Sequence, residues 1–197
     1  MEKVVSNPIE LFSEWYQQWN DRTDAVEPSA MTLATCSKDG QPSARIVLLK
    51  GVDKKGFVFF TNYTSRKGHE LDHNKKAALC FHWEELGKQV RIEGNVEKTS
   101  DHESDAYFGT RTRESQIGAW ASKQSHTIKD PAELAHRIKE ITETYKGQPV
   151  PRPPFWGGYR VVPQAIEFWQ HGEHRLHTRL LYTKNNDGSW VTQLLYP

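Results

Sequence analysis

Cysteine is scarce: only Cys36 and Cys80 occur in 197 residues. Two thiols without C-x-x-C spacing make a disulfide scaffold or a thiolate metal site a poor expectation. Both lie in apolar, strand-like runs and read as free thiols. An excess of one charge is also missing. Lys plus Arg total 26 against 25 for Asp plus Glu, a net charge of +1. No global field therefore favours nucleic acid or an anionic membrane. No apolar run approaches the roughly 20 residues of a spanning helix. The opening stretch, MEKVVSNPIELF, has no apolar signal core, so a cytoplasmic protein is expected. Neither G-x-x-x-x-G-K-[ST] nor G-x-G-x-x-G appears, which leaves nothing suited to a nucleoside triphosphate. Internal repeats and low-complexity tracts are absent too.

What is present begins with a helix. Asn7 as N-cap, Pro8 at the first helical position and Glu10 in the first turn predict one. Ile9, Phe12, Tyr16 and Trp19 then form a single apolar stripe. After Pro28 the pattern changes to short strands at 31–36, 43–50, 57–62, 77–83 and 88–98, separated by turns such as SKDGQP and VDKKG. Ser100 with Glu103 makes a capping box for a helix running toward Arg111. Asp130-Pro131 opens another, with Leu134, Ile138, Ile141 and Tyr145 on one face. Residues 147–155 form a proline-rich connector. Beyond it GYRVVP, AIEFWQ, RLLYTK and SWVTQLLYP read as strands. The expectation is one domain over 1–197, mainly β with helices (α+β), with a helical segment over 1–27. Turns at this spacing point to an antiparallel barrel or sandwich rather than βαβ units.

In a chain of balanced charge any cationic cluster is local, which points to a small anionic ligand. Four such clusters occur. In TSRKGHEL (64–71), Thr64 or Ser65 caps a short helix whose first turn holds Arg66 and Lys67. The helix dipole disfavours cations there, and a bound phosphate would reverse the argument. A solvated surface turn explains the stretch equally well. In RIVLLK (45–50), Arg45 and Lys50 bracket four aliphatic residues and point to opposite faces of the strand; ordinary strand ends reaching water are the alternative. In YFGTRTRES (107–115), Tyr107, Arg111 and Ser115 fall at i, i+4 and i+8, hence on one helix face. A phenol, a guanidinium and a hydroxyl on one stripe suit a phosphate ester, against a merely solvated face. Gln124 and Ser125 follow as neutral donors.

The fourth cluster is HGEHRLHTR (171–179). If strand continues through it, Arg175, His177 and Arg179 share one face. Phe168 and Trp169 add a stacking wall; an exposed histidine loop is the alternative. His171, His174, His177 and Glu173 resemble a metal-ligand set. However, His174 and His177 then lie on opposite faces and two arginines oppose a dication, so no metal is expected. Together the clusters describe sites for two phosphate groups.

EPSAMTLAT, GQPSARIVLLK, FFTNYTSRKGHEL, RESQIGAW, SKQS, PPFWGGYRV and IEFWQHGEHRLHTR occur in that order. Over about Asn7 to Pro197 they resemble the pyridoxine (pyridoxamine) 5′-phosphate oxidase family. The resemblance implies an FMN-binding split barrel, an antiparallel Greek-key barrel with flanking helices, assembled as a homodimer with FMN at the interface. It implies FMN contacts from Arg45, Ile46, Val47, Leu48, Leu49 and Lys50, and from Phe60, Thr61, Arg66 and Lys67. Gln89, Gln124, Ser125, Trp169 and Arg179 complete that set. Lys50, Tyr107, Arg111 and Ser115 match the positions that hold the substrate phosphate. Arg175 and His177 match the catalytic pair over the substrate's pyridine ring.

The implied activity is oxidation of pyridoxine 5′-phosphate or pyridoxamine 5′-phosphate to pyridoxal 5′-phosphate, in vitamin B6 salvage and biosynthesis. O₂ accepts the electrons and yields hydrogen peroxide. Three departures stand out. The family's basic, tyrosine-bearing N-terminal arm has no counterpart before Asn7, Thr178 replaces an aspartate, and Leu194 replaces an arginine. They favour, as the competing reading, a split-barrel protein that binds FMN or pyridoxal phosphate with little turnover. A flavin reductase using a nicotinamide cofactor would not need the substrate-phosphate quartet.

Overall fold

The computed structural model describes residues 5–22 and 27–197. A 9-stranded sheet forms its frame, in the order β2-β1-β5-β6-β7-β4-β3, with β8 on β7 and β9 on β8. The strands are β1 (Ala30–Cys36), β2 (Pro42–Leu48), β3 (Gly51–Asp53), β4 (Gly56–Asn62), β5 (Lys76–Trp83), β6 (Lys88–Lys98), β7 (Trp156–Gln170), β8 (Thr178–Lys184) and β9 (Trp190–Leu195). Every pairing is antiparallel. Hairpins join β1 to β2 and β5 to β6, while β1 and β5 are neighbours across a long connection, as in a Greek key. Helices α1 (Pro8–Asn20), α2 (Arg66–His73), α3 (Asp101–Gly109), α4 (Arg113–Ala121) and α5 (Pro131–Thr144) flank the sheet.

β7 is one strand of 15 residues where the sequence reads two. Pro163 sits where the register between β6 and β7 shifts, at Glu93/Gly94. A proline withdraws one ladder donor, and a bulge absorbs the gap. Gly94 makes the bulge feasible, because a Cβ there would lie 2.2 Å from the Val162 carbonyl oxygen. The bent strand then pairs with β4 through its first half and with β8 through its second. That bend curls the sheet into a half-barrel.

Helix α1 closes the barrel's interior. Asn7 caps it by accepting from the Ile9 N–H at 3.0 Å, and fully buried Phe12 packs edge-on against Phe57 and Phe81, with ring centroids 4.8 and 5.0 Å away. Burying such a ring contributes about 1.5–3 kcal/mol. The buried face runs through Ile9, Leu11, Phe12 and Trp15. Tyr16 and Trp19, expected on the stripe, are only partly covered. α5 departs further from expectation: Leu134 and Ile138 stay 39% and 41% exposed. Ile141 and Tyr145 alone of that face pack against the small cluster of Phe108, Ile117 and Trp156. Cys36 and Cys80 are free and half-buried. Among the described residues no helix is long and apolar enough to cross a membrane.

Candidate functional site

The curl brings the end of β2 close to β4, where the Lys50 N–H, just ahead of the β3–β4 pairing, donates to the Val58 carbonyl at 2.8 Å. Between them lies a cavity of about 820 Å³, within the usual size range for small-molecule sites. Arg45, Ile46, Val47, Leu48 and Lys50 form one wall, Phe60 and Thr61 the floor, and Arg66 and Lys67 of α2 one end. Tyr107, Arg111, Ser115, Gln124 and Ser125 complete it. Leu49 instead turns into the core. Strand β2 stops at Leu48, so period-two alternation does not extend to Lys50. Arg45 and Lys50 both reach the cavity, contrary to the opposite-face expectation.

The expected helix face over 107–115 does not form. Gly109 ends α3 after the Ser100/Glu103 capping box, and Thr112 starts α4 by accepting from the Ser115 N–H at 3.3 Å. Tyr107 closes one helix, Arg111 lies in the break and Ser115 opens the next. The chain reversal, not a helical stripe, sets the three on one wall.

Among the described residues five cations line the cavity and no carboxylate does. Lys67 is 8% exposed, and among the described residues its ammonium donates only to hydroxyls, Thr61 Oγ1 at 3.2 Å and Ser65 Oγ at 3.5 Å. Burial, reinforced by Arg45, pushes its pKa down against the opposing pull of Glu70. The Thr61 hydroxyl in turn donates to Gln124 Oε1 at 3.2 Å. Ser65 caps α2 through the Gly68 N–H, and a Cβ on Gly68 would lie 2.1 Å from the Tyr63 carbonyl. Glycine there lets the helix seat close to the strand.

Arg111 is held over the Trp156 ring at 4.7 Å and near Phe108 at 5.6 Å. Its Nη1 is buried and has no hydrogen-bond partner among the described residues. Burial lowers the guanidinium's pKa, yet it stays charged at neutral pH. Beside it Tyr107 stacks on Phe60 with centroids 4.0 Å apart, and burial raises its phenol. Trp156 also lines the cavity. Sequence reading passed over it although it stands inside PPFWGGYRV, because nothing local distinguishes a wall tryptophan from a core one.

The remaining candidates lie elsewhere. Gln89, Trp169 and Arg179 occupy one cross-strand row over β6, β7 and β8, since Gln89 pairs with Trp169 and Trp169 with Arg179. Trp156, on the cavity wall, and Trp169, in this row, are 13 residues apart along β7, roughly 40 Å of strand. Arg179 donates to Glu167 Oε1 at 2.7 Å and to the Tyr196 carbonyl at 3.0 Å. The stretch before it is not strand. Residues 173–175 form a short 3-10 turn with His174 and Arg175 at φ 55° and 66°. Arg175 therefore leaves the face expected to carry it with His177 and Arg179. His177 packs against Trp169 with the rings tilted by 44° and their centroids 4.5 Å apart, and its Nδ1 accepts from the Gly172 N–H at 3.2 Å. The candidate residues thus fall into two separate groups, one around the cavity and one on the β6–β7–β8 row.

Residues 20–145 match the family model described as pyridoxamine 5′-phosphate oxidase. The chain belongs to that family. Residues 156–197 match the pyridoxine 5′-phosphate oxidase C-terminal dimerisation region. A pyridoxine/pyridoxamine 5′-phosphate oxidase of Paraburkholderia phytofirmans is 56% identical over 195 residues, covering 98% of this chain and 91% of that protein. Its counterpart in Rubrobacter xylanophilus is 53% identical over 191 residues, covering 97% and 87%. Among solved structures, PhzG from Burkholderia lata, in complex with tetrahydrophenazine-1-carboxylic acid, superposes with a TM-score of 0.92 at 33% identity, covering 100% of this chain and 95% of that one. A pyridoxamine 5′-phosphate oxidase-related, FMN-binding protein from Nostoc punctiforme shares the fold at TM-score 0.76 and 16% identity, covering 99% and 100%.

Proposed function

We propose that this chain is a cytoplasmic, homodimeric, FMN-dependent pyridoxine/pyridoxamine 5′-phosphate oxidase, folded as one domain. The alcohol substrate plus O₂ gives pyridoxal 5′-phosphate and hydrogen peroxide. The amine substrate also consumes water and releases ammonia. One observation carries the reading: a cavity that no described carboxylate lines holds buried Lys67 at one end and Arg111, with its orphaned Nη1, on another wall. Each buried cation is costly until an anion meets it. A flavin phosphate and a substrate phosphate are two such anions, and the cavity's size suits both molecules.

FMN, when bound, supplies the two-electron acceptor for the substrate's C4′ carbon and returns the electrons to O₂. Arg66, Lys67 and the N-terminal amides of α2 hold its phosphate, with Thr61, Gln124 and Ser125 beside them. Lys50, Tyr107, Arg111 and Ser115 hold the substrate phosphate. That remote clamp fixes C4′ in place, converting binding energy into orientation. Arg175 and His177 cover the pyridine ring and stabilise charge developing there. Because His177 Nδ1 accepts from Gly172, a neutral His177 carries its proton on Nε2 and presents a donor.

The half-sites meet only if a second copy supplies Gln89, Trp169, Arg175, His177 and Arg179. The outer face of the sheet suits that contact. Ala44, Ala34 and Ala78 stand in one cross-strand row, and exposed Ile46 stands beside Thr32 and Cys80 in the next. Small side chains let two sheets approach closely. The match to a dimerisation region over 156–197 supports the same assembly.

The likeness to PhzG, whose bound ligand carries a carboxylate, raises a second flat substrate class. The Lys50–Tyr107–Arg111–Ser115 wall favours a phosphate ester over it. Anaerobic titration of the purified yellow protein with pyridoxine 5′-phosphate tests the proposal. Bleaching, with colour restored by air, is expected. A yellow protein that stays yellow would leave only flavin binding, and bleaching by NADH alone would make it a reductase.

A further inference from the structure

Behind the cavity wall, Glu70 is 5% exposed and accepts from four side chains on three elements. Its Oε1 takes the Arg66 Nε–H at 2.8 Å, one helical turn away. Its Oε2 takes the Ser43 hydroxyl at 2.6 Å, Arg45 Nη2 at 3.2 Å and the Thr35 hydroxyl. The two hydroxyls give their protons to Glu70 and offer lone pairs to Arg45, so the carboxylate orients the whole group. Both terminal nitrogens of Arg45 are engaged as a result, bonding Leu33 O, Thr35, Ser43 and Glu70. Arg66 is the reverse: only Nε is held, and both terminal nitrogens are free among the described residues on a side chain 61% exposed.

We propose that Glu70 is a positioning residue: by gripping Arg66 at Nε and tying α2 to β1 and β2, it aims the free Arg66 fork at the flavin phosphate and sets the preference for phosphorylated flavin. This rests on the FMN reading above. Glu70 does not line the cavity. Of the two arginines it holds that do, Arg45 has both terminal nitrogens occupied while Arg66 has them free among the described residues, so its influence on a phosphate passes through Arg66. Two physical effects of the carboxylate oppose one another. As an orienting acceptor it favours phosphate binding, whereas as a negative charge it weakens the attraction for an anion. A glutamine separates them, since it keeps the shape but replaces one acceptor oxygen with an NH₂ that faces other donors.

The test compares affinities of FMN and riboflavin for full-length protein stripped of flavin, read by quenching of flavin fluorescence. Riboflavin lacks only the phosphate. Glu70→Gln is expected to cut the FMN/riboflavin preference by roughly 10-fold or more, the scale of one charge-assisted contact, with riboflavin affinity within about 2-fold of wild type. Glu70→Asp, which keeps the charge but cannot span both arginines, is expected to lose preference too. In an Arg66→Ala background Glu70→Gln is expected to add nothing, as a double-mutant cycle requires of a residue acting through Arg66. Should Glu70→Gln fail to fold, Glu70→Asp carries the same cycle. An unchanged ratio, an equal loss of both flavins, or tighter FMN binding each overturns the proposal. Wild-type protein with no affinity for FMN defeats the functional reading itself, a distinct result.

Discussion

Replacing Arg111 with methionine removes a charge that the unliganded fold has not satisfied. The buried Nη1 without a partner costs the folded state about 1–3 kcal/mol. Packing of the guanidinium over Trp156 at 4.7 Å returns about 0.5–2 kcal/mol. Methionine keeps an unbranched stem against the same rings. The two contributions leave Arg111→Met near neutral or about 1 kcal/mol more stable without ligand, a rise in Tm of roughly 2–4 °C for a chain of this size. Binding should move the other way. A charge-assisted bond to phosphate contributes about 1.5–3 kcal/mol, so affinity for pyridoxal 5′-phosphate or pyridoxine 5′-phosphate should fall roughly 10- to 150-fold. Flavin content should not change, because Arg111 is remote from α2 in this assignment. Thermal melts of the flavin-free protein and titration of the flavin spectrum with pyridoxal 5′-phosphate measure both quantities. A variant that melts several degrees lower with unaltered ligand affinity would show that Arg111 is a structural cation, and the reasoning from its orphaned nitrogen would fail.

Three further outcomes are expected. Arg175→Ala should purify yellow and turn over roughly 100-fold more slowly; a colourless protein would place Arg175 with the flavin instead. For Glu70, burial raises the carboxyl's pKa, but bonds from Ser43, Thr35 and Arg66 and the charge of Arg45 outweigh it and hold it at about 2 rather than 4.5. A depressed folded-state pKa confers stability that is complete above the unfolded value and is lost as pH falls toward the folded one. Urea melts should therefore show the wild type's advantage over Glu70→Gln shrinking below pH 4.5 by up to roughly 3 kcal/mol, and a constant difference from pH 6 to 3 would contradict it. Ala34→Arg, set among Ala44 and Ala78 on the outer face, should yield a folded monomer that retains no flavin; a yellow dimer by sedimentation would move the interface elsewhere.

Features written within a few residues were legible in the sequence. The Ser100/Glu103 capping box, the Asn7 and Asp130 caps and the strand stretches all appear close to where their local signals stand. The misreadings share a cause: a periodic pattern was extended across a residue that breaks it. Gly109 interrupts the helix expected to carry Tyr107, Arg111 and Ser115. The left-handed His174 and Arg175 interrupt the strand expected through 171–179; histidine is enriched at positive φ, but arginine is not, and a single residue type does not mark the turn. Pro163 had the opposite effect, splitting on paper a strand that a bulge keeps whole. Glu70 and Trp156 escaped notice for another reason. Glu70 matters through Ser43 and Arg45, which are 27 and 25 positions away, and no local pattern reports a contact of that range.

The division of the site follows from the sheet itself. Cations that must reach a phosphate sit at strand ends, helix starts and breaks, where a backbone reversal turns them inward. A wall for a flat ring needs rigid neighbours in register, and Gln89, Trp169 and Arg179 are such a row. Within one curled sheet the two stand apart, because Trp156 on the cavity wall and Trp169 in the row are 13 residues apart along β7. Pairing two copies across the alanine row removes the conflict without bending either sheet. The consequence is thermodynamic linkage: a flavin that binds only the completed site stabilises the dimer by the same free energy with which the dimer retains flavin. Glu167, which holds Arg179 by two bonds at 2.7 and 3.1 Å, keeps that arginine in its row before the second copy arrives. The side chains of each half are thus ordered in advance, and association has only to bring the halves together.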